Sequence, residues 1–324
     1  MSVLTRRTLL AGTTGLLGAS ALGGLPAAHA EAPPATKQVP SAYRYKVGQV
    51  EVTVIADGMR SFPLPAGFVK NQPKDAVEAA LKSAFLDEKR LSIPFNALLL
   101  NIDGRLILVD TGNGGEPGAV GLLRGTLGSL GIQPEMIDQV VISHFHGDHI
   151  NGLLLPDGTP AYPKAQLMVP EAEWAFWMDD GQMSRAPDGL KGTFHNARRV
   201  FAPFGDKVER YAWDKEVAKG LTALGTPGHT PGHTSFHLDP DFEELFIQSD
   251  LTNIPALFVV HPDWHVQFDM DGEKAAAIRK STFDRIATDR LKVAGYHFPF
   301  PAVAHVEKVG DGFRYVPVWW NPVL

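Results

Sequence analysis

The chain contains no cysteine. That excludes disulfides, thiolate metal ligands and a cysteine nucleophile, so the fold must be held by its core and by nitrogen or oxygen ligands. Basic charge is also short. Thirty Lys and Arg stand against 36 Asp and Glu, a formal net charge of −6, which leaves no electrostatic footprint for nucleic acid or an anionic membrane surface. The apolar run near the N-terminus, ending at Leu25, is too short and too rich in Gly and Ala for a stable membrane anchor. What remains, 324 residues of which 44% are apolar, suffices for a sizeable core in one large domain or two. A small, neutral or weakly charged substrate fits this balance.

The first 30 residues read as an export signal. Arg6-Arg7 precede Thr8-Leu9-Leu10, and Ala28-His29-Ala30 fits a small-x-small cleavage site, so the mature chain is expected to begin near Glu31. The Thr5–Leu10 segment resembles the twin-arginine signal, which implies the twin-arginine export machinery as a partner, folding before transport, and a periplasmic or secreted location. An ordinary secretory signal is the alternative. Residues 31–42, with Pro33, Pro34 and Pro40, read as a flexible arm, and residues 43–324 as the folded domain.

Val50, Val52 and Val54 alternate after the turn residues Gly48-Gln49, which predicts a half-buried hairpin. Pro73 opens a helical pattern carrying Val77, Leu81 and Phe85, and Asp103-Gly104 splits two apolar runs, 97–102 and 106–109, into a second hairpin. Residues 122–130 read as helix, and 139–142 and 166–169 as strands. Later come strands at 234–238 and 245–247, a long helix through 273–286 and a final strand at 313–319. Strand groups in both halves with helices between them predict an α/β (α+β) αββα sandwich: two mixed sheets face to face, helices on the outer faces.

His144-Phe145-His146-Gly147-Asp148-His149 packs three imidazoles and a carboxylate into six residues after the apolar run 139–142. Imidazole and carboxylate suit a divalent ion of intermediate softness and leave positions for water. For one zinc this is more ligand than needed. A second cluster, Thr226-Pro227-Gly228-His229-Thr230-Pro231-Gly232-His233, presents histidines from a loop stiffened by Pro and Gly. Ser249-Asp250 and Tyr296-His297 each follow an apolar run, where a strand should end. Ligands at several strand ends are what a rigidly held site requires.

Together with Asp110-Thr111-Gly112, these elements resemble the metallo-β-lactamase superfamily, in the family's order and over about Tyr43 to Trp320. The resemblance implies that His144, His146 and His229 bind one metal, that Asp148, His149 and His297 bind a second, and that Asp250 bridges them, with His233 as the alternative to His229. It further implies Asp110 as an outer partner of the ligand histidines; a turn aspartate capping Gly112–Gly114 is the other reading. The cofactors expected are two divalent ions, Zn2+ first, with Mn, Co or Fe as alternatives. Within the superfamily the chain looks most like the exported methyl parathion hydrolase branch and its lactonase relatives, through the Tyr43-Arg44-Tyr45 hairpin and the Phe313–Val318 ending. The true β-lactamases fit less well, and the diiron oxygen reductases usually carry Glu where His146 stands. A non-catalytic member of the fold would have lost ligands, and none is missing.

Two ions about 3.5–4 Å apart can share a hydroxide and provide a nucleophile at neutral pH without Ser or Cys. Asp148 and Asp250 are the expected catalytic carboxylates, Asp148 passing a proton to the leaving group. The function expected is hydrolysis of an apolar ester, lactone or organophosphate triester, with a quorum-signal lactonase as the alternative. That alternative is weakened because Asn253 stands where many such lactonases have Tyr. Phe62, Phe68, Trp174, Trp177, Phe194 and Asn253 are the candidate substrate contacts, although aromatics at helical spacing, such as Trp174 and Trp177, are more often core. His195, His237, His261, His265 and His305 have no motif context and read as structural or surface residues. The apolar ending Val318-Trp319-Trp320 would suit a homodimer contact.

Overall fold

Alternating apolar residues build the frame on which the histidines are mounted. The computed structural model describes residues 34–35, 38–39, 41–240 and 243–324, and the export signal expected over residues 1–30 lies outside the described residues. One sheet runs, in spatial and sequence order, through β1 (Ala42–Val47), β2 (Val50–Pro63), β3 (Arg90–Ile102), β4 (Arg105–Val109), β5 (Gln139–Val141), β6 (Gln166–Pro170) and β7 (Val208–Tyr211). The other contains β8 (Lys215–Ala218), β9 (Leu221–Gly225), β10 (Thr234–Leu238), β11 (Leu245–Ile247), β12 (Lys292–Ala294), β13 (Val303–Val309) and β14 (Gly312–Pro317). Both sheets are mixed. The first is antiparallel from β1 to β4 and parallel from β4 to β7, while the second has one parallel pair, β11 with β12.

The period-two pattern assigns the faces. Val50, Val52 and Val54 join Leu98, Leu100, Ile107 and Val109 against Phe236, Leu238, Leu245 and Val293 of the opposite sheet. The intervening Ala97, Leu99, Leu108 and Val140 point the other way, towards Leu127 of α2 (Leu123–Ser129) and towards Phe194, Ala197 and Val200. This is the expected αββα sandwich. The remaining helices are α1 (Lys74–Ser83), α3 (Gly147–Ile150), α4 (Glu171–Trp177), α5 (Asp180–Arg185), α6 (Asp188–Phe201), α7 (Pro255–Phe258) and α8 (Gly272–Asp289). Among the described residues no helix is long and apolar enough to cross a membrane.

Two local expectations need correction. Phe85 is not on the buried face of α1: it lies two residues past the helix, left-handed at φ 58° and 99% exposed. There Phe85 N donates to Lys82 O and Leu86 N to Leu81 O, so the helix is closed by crossed bonds that free its last carbonyls from water. The final strand ends at Pro317 rather than at residue 319, leaving Trp319 outside the sheet and 95% exposed.

The topology explains why chemistry gathers at one end. The parallel strands β4, β5 and β6 deliver their carboxyl ends to the same edge, where Asp110, His144 and Glu173 follow, and the parallel pair β11 and β12 does the same for Asp250 and His297. Asp110 and Ser249 are both left-handed, with φ 61° and 51°. Such backbone costs roughly 1–3 kcal/mol outside glycine and persists only where its surroundings over-determine it.

Candidate metal centre

The segment 143–149 leaves β5 and is fastened at once to β4. Asp110 accepts from Ser143 N at 2.8 Å and Ser143 Oγ at 2.7 Å, and its Oδ2 lies 2.8 Å from His149 Nδ1. The turn-capping reading of Asp110 therefore belongs to a different residue. Asp57 accepts from Asn113 N at 2.8 Å, Asn113 Nδ2 at 2.9 Å and Leu123 N at 3.0 Å, and so holds the glycine turn that Asp110 could have capped.

Past Gly147 the single-turn helix α3 presents Asp148 and His149 beside His144 and His146. The structure brings together all seven residues predicted as metal ligands, in two groups whose donor atoms lie within 4.8 Å of one another: His144, His146, His229 and Asp250, and Asp148, His149, Asp250 and His297. In the first, His146 Nδ1 is 3.1 Å from His144 Nε2 and 2.9 Å from His229 Nε2. Asp250 faces both groups, with Oδ2 3.3 Å from His229 Nε2 and 3.0 Å from His297 Nε2, and Oδ1 3.3 Å from His149 Nε2. Asp148 Oδ2 stands 3.4 Å from His149 Nε2 and 3.6 Å from His297 Nε2.

The outward ring nitrogens are committed elsewhere, which fixes the inward ones. His144 Nδ1 contacts Ser143 Oγ at 3.1 Å, His297 Nδ1 contacts Pro94 O at 2.8 Å, and His229 Nδ1 contacts Asp269 Oδ1 at 2.9 Å. Asp269 is held in turn by the buried Arg279, whose Nη2 lies 3.2 Å from Asp269 Oδ2. His233 is not a ligand competitor in this geometry. Its Nε2 accepts from Asp250 N at 3.0 Å and its Nδ1 meets Thr226 Oγ1 at 2.9 Å, so it supports the carboxylate from behind.

The donors fit a pair of divalent ions on two grounds. His149 Nε2 and Asp250 Oδ1 are buried with no hydrogen-bond partner, and two unsatisfied polar atoms converging on one point are costly unless a ligand satisfies them. The electrostatics of the site supply the second ground. Burial, reinforced by His149, holds His144 well below the usual imidazole range, and burial with His229 lowers His146 to about 3, which keeps both lone pairs open. Burial also opposes charge on His149 and His229, yet Asp250, Asp148 and Asp110 hold His149 well above its ordinary value, and bonds to Asp250 and Asp269 push His229 up to about 9. The carboxylates thus draw positive charge into the site.

Glu173, which no sequence motif marks, ties the two histidine loops together. It is fully buried on α4, accepts from Phe145 N at 3.0 Å and Gly232 N at 2.7 Å, and takes a third bond from Trp177 Nε1 at 2.6 Å. Gly232 is required there because a Cβ would stand 2.2 Å from Glu173 N.

A cavity of about 510 Å³ opens onto the donors His146, Asp148, His229, Asp250 and His297. Of the six predicted substrate contacts, Phe62 and Asn253 line it. The other four do not. Phe68, Trp177 and Phe194 are buried in the core, and Trp174 is half-buried beside Phe145 and Phe201 with the Arg210 guanidinium 4.8 Å from its ring. Phe194 sits on α6, where its period is that of a buried helix face. The walls are instead Ile93, Phe95, Leu190 and Phe268, with Arg60, Asn113, Asn151, Thr193 and Gln267. Phe95 escaped notice because β3 begins at Arg90, well before the apolar run that marked it in the sequence, and Phe268 lies in a loop without periodicity.

Of the five histidines read as structural or surface residues, His237 Nε2 pairs with Glu244 at 2.6 Å, His261 stacks on Trp264 with ring centroids 4.1 Å apart, and His305 Nδ1 meets Leu291 O at 3.1 Å. His265 Nε2 lies 3.9 Å from Glu273, and His195 is exposed on α6.

Comparison with known proteins gives the same answer as the geometry. The family model of the metallo-beta-lactamase superfamily matches residues 94–297, which spans every donor named above. No curated protein matches the sequence. Among solved structures, the hydrolase AbOPH of the beta-lactamase superfamily is 27% identical, with a TM-score of 0.82 over 88% of this chain and 100% of its own. AidC, a dizinc quorum-quenching lactonase, is 24% identical, with a TM-score of 0.82 over 87% of this chain and 99% of its own. A probable metal-dependent hydrolase from Staphylococcus aureus is more distant, at 17% identity and a TM-score of 0.69 over 86% of this chain and 100% of its own. With a family model matched over more than half its length and a fold and donor set that agree with it, the chain belongs to the metallo-beta-lactamase superfamily.

Proposed function

We propose that this protein is a binuclear zinc hydrolase that cleaves an ester bond in a largely apolar substrate: a carboxylic ester, a lactone or an organophosphate triester. The observation that carries the reading is Asp250, one buried carboxylate facing both groups of donors. His144, His146 and His229 would hold one ion, Asp148, His149 and His297 the other, and Asp250 both; borderline nitrogen and oxygen donors of this kind favour zinc. Two bound ions would supply Lewis acidity and bring the pKa of water towards about 7.

The chain's own residues do the rest. Asp269 and Asp110 orient His229 and His149 through their second nitrogens, and the apolar side of the cavity, Phe62, Ile93, Phe95 and Leu190, excludes water from the reacting bond. Asp148, whose side chain is 23% exposed and lines the cavity, would pass a proton to the leaving group. Asp148→Asn is expected to cut kcat about 100-fold while keeping most of the metal, read by elemental analysis beside steady-state rates; parallel loss of both would remove the proton-transfer role. The export signal over residues 1–30 belongs to the same reading and would place the enzyme outside the cytoplasm.

A homoserine-lactone substrate is the second reading, favoured by the likeness to AidC. No tyrosine lines the cavity among the described residues, and Tyr296 Oη donates to Asp148 O at 2.5 Å instead of facing substrate. A panel of an aryl ester, a γ-lactone, an acyl-homoserine lactone, a dimethyl aryl phosphotriester and a β-lactam, run on metal-replete enzyme, separates these. Turnover of ester-bonded members, abolished by chelation and restored by zinc, is the expected result. Turnover of the β-lactam alone, or of nothing, would overturn the assignment.

A further inference from the structure

The cavity carries one feature that an apolar substrate does not use. Arg60 stands on β2 at its wall, exposed, and its register partner on β3 is Ile93. Its guanidinium carbon lies 5.8 Å from the centroid of the Phe95 ring, whose centroid is in turn 5.2 Å from that of His297. Arg60 is therefore one aromatic ring away from the donor cluster. The other polar wall groups outside the cluster, Asn113, Asn151, Thr193, Asn253 and Gln267, are neutral. No described carboxylate pairs with Arg60, so it is a cation held in place by an aromatic face rather than neutralised by an acid.

Resting on the hydrolase reading above, we propose that Arg60 selects substrates bearing a carboxylate remote from the bond that is cut. A guanidinium presents paired N–H donors that match a carboxylate, and its aromatic support restricts the side chain before substrate arrives. The substrate then spans the cavity. Its reacting group meets the histidine and aspartate cluster, its apolar body lies along Phe62 and Phe95, and its anionic end meets Arg60. The preferred substrates are half-esters, carboxyaryl esters or lactones with an acidic side arm, not the neutral esters that overall composition suggests.

The test compares two aryl acetates that differ only in a carboxylate or a carboxamide on the ring, hydrolysed by the wild-type enzyme and by Arg60→Gln. Dividing one ratio by the other cancels leaving-group chemistry. The carboxylate preference in kcat/KM is expected to fall roughly tenfold in Arg60→Gln, mainly through KM, and to weaken with salt, with Arg60→Lys intermediate. A preference equal in wild-type and variant enzyme overturns the proposal and leaves the hydrolase reading intact. Calorimetric binding of 4-carbamoylbenzoate and of terephthalamide reads the same contact without turnover. Loss of a carboxylate-specific increment in Arg60→Gln supports the proposal even if neither ester is hydrolysed, and its persistence overturns it.

Discussion

Asp250→Ala is expected to lower turnover by about 10³-fold or more and to leave at most one equivalent of metal per chain. The magnitude follows from position. Asp250 Oδ2 lies 3.0 Å from His297 Nε2, 3.3 Å from His229 Nε2 and 3.8 Å from His144 Nε2, while Oδ1 lies 3.3 Å from His149 Nε2, so one carboxylate serves four imidazoles in two groups. Removing it leaves both groups short of an anionic donor, and the loss of several kcal/mol of transition-state stabilisation corresponds to about three decades of rate. The fold should survive the change, because Asp250 N is bonded to His233 Nε2 and that contact does not use the side chain. Elemental analysis, rates and a thermal melt on one preparation check it. Retention of two metals with full activity would remove Asp250 from the centre of the site.

The second large effect is on integrity. Glu173→Ala strands three donors, Phe145 N, Gly232 N and Trp177 Nε1, in a fully buried place. Each unsatisfied donor costs about 1–3 kcal/mol, so the variant should lose roughly 3–9 kcal/mol. At roughly 2–4 °C per kcal/mol for a chain of this size, the apo protein should melt at least about 6 °C lower, and roughly 20 °C or more lower if each donor costs its full share. Metal affinity should fall as well, since Phe145 and Gly232 each adjoin a histidine loop. Glu173→Gln separates bonding from bulk. Its amide oxygen can replace Oε2, which serves Phe145 and Trp177, but its NH2 group would face Gly232 N. A melt midway between wild type and Glu173→Ala is the expected outcome. A Gln variant as stable as wild type would show that the negative charge and the Gly232 bond are dispensable.

What sequence reading recovered and what it missed divide along chain separation. The ligand cluster was legible because His144 to His149 lie within one loop, and the hairpins because Gly48 and Asp103-Gly104 mark turns locally. The sandwich was legible because alternation in Val50–Val54 and the long helical pattern of α8 report which face is buried. The residues that hold the ligands were not. Asp57, Glu173 and Asp269 act on groups 56 to 66, 28 to 59 and 40 positions away, and no short motif announces a buried carboxylate with distant partners. The cavity wall failed for a related reason. Aromatic residues advertise burial, so Phe68, Trp177 and Phe194 were as plausible in sequence as Phe95, and only the packing of β2, β3 and the 267–268 loop decides which rings face the cavity.

Each donor group is drawn half from one sheet and half from the other: His144 and His146, or Asp148 and His149, come from beyond β5, while His229, Asp250 and His297 come from the sheet that contains β9 to β12. An ion bound there acts as a rivet through the sandwich. It ties together two layers that a cysteine-free chain cannot stitch covalently. Because such an ion would bind the native chain and not the unfolded one, its contribution would grow as RT ln(1 + [M]/Kd), so the supply of free metal, rather than the redox poise of the surroundings, would set how much it adds to the apolar core that already joins the two halves.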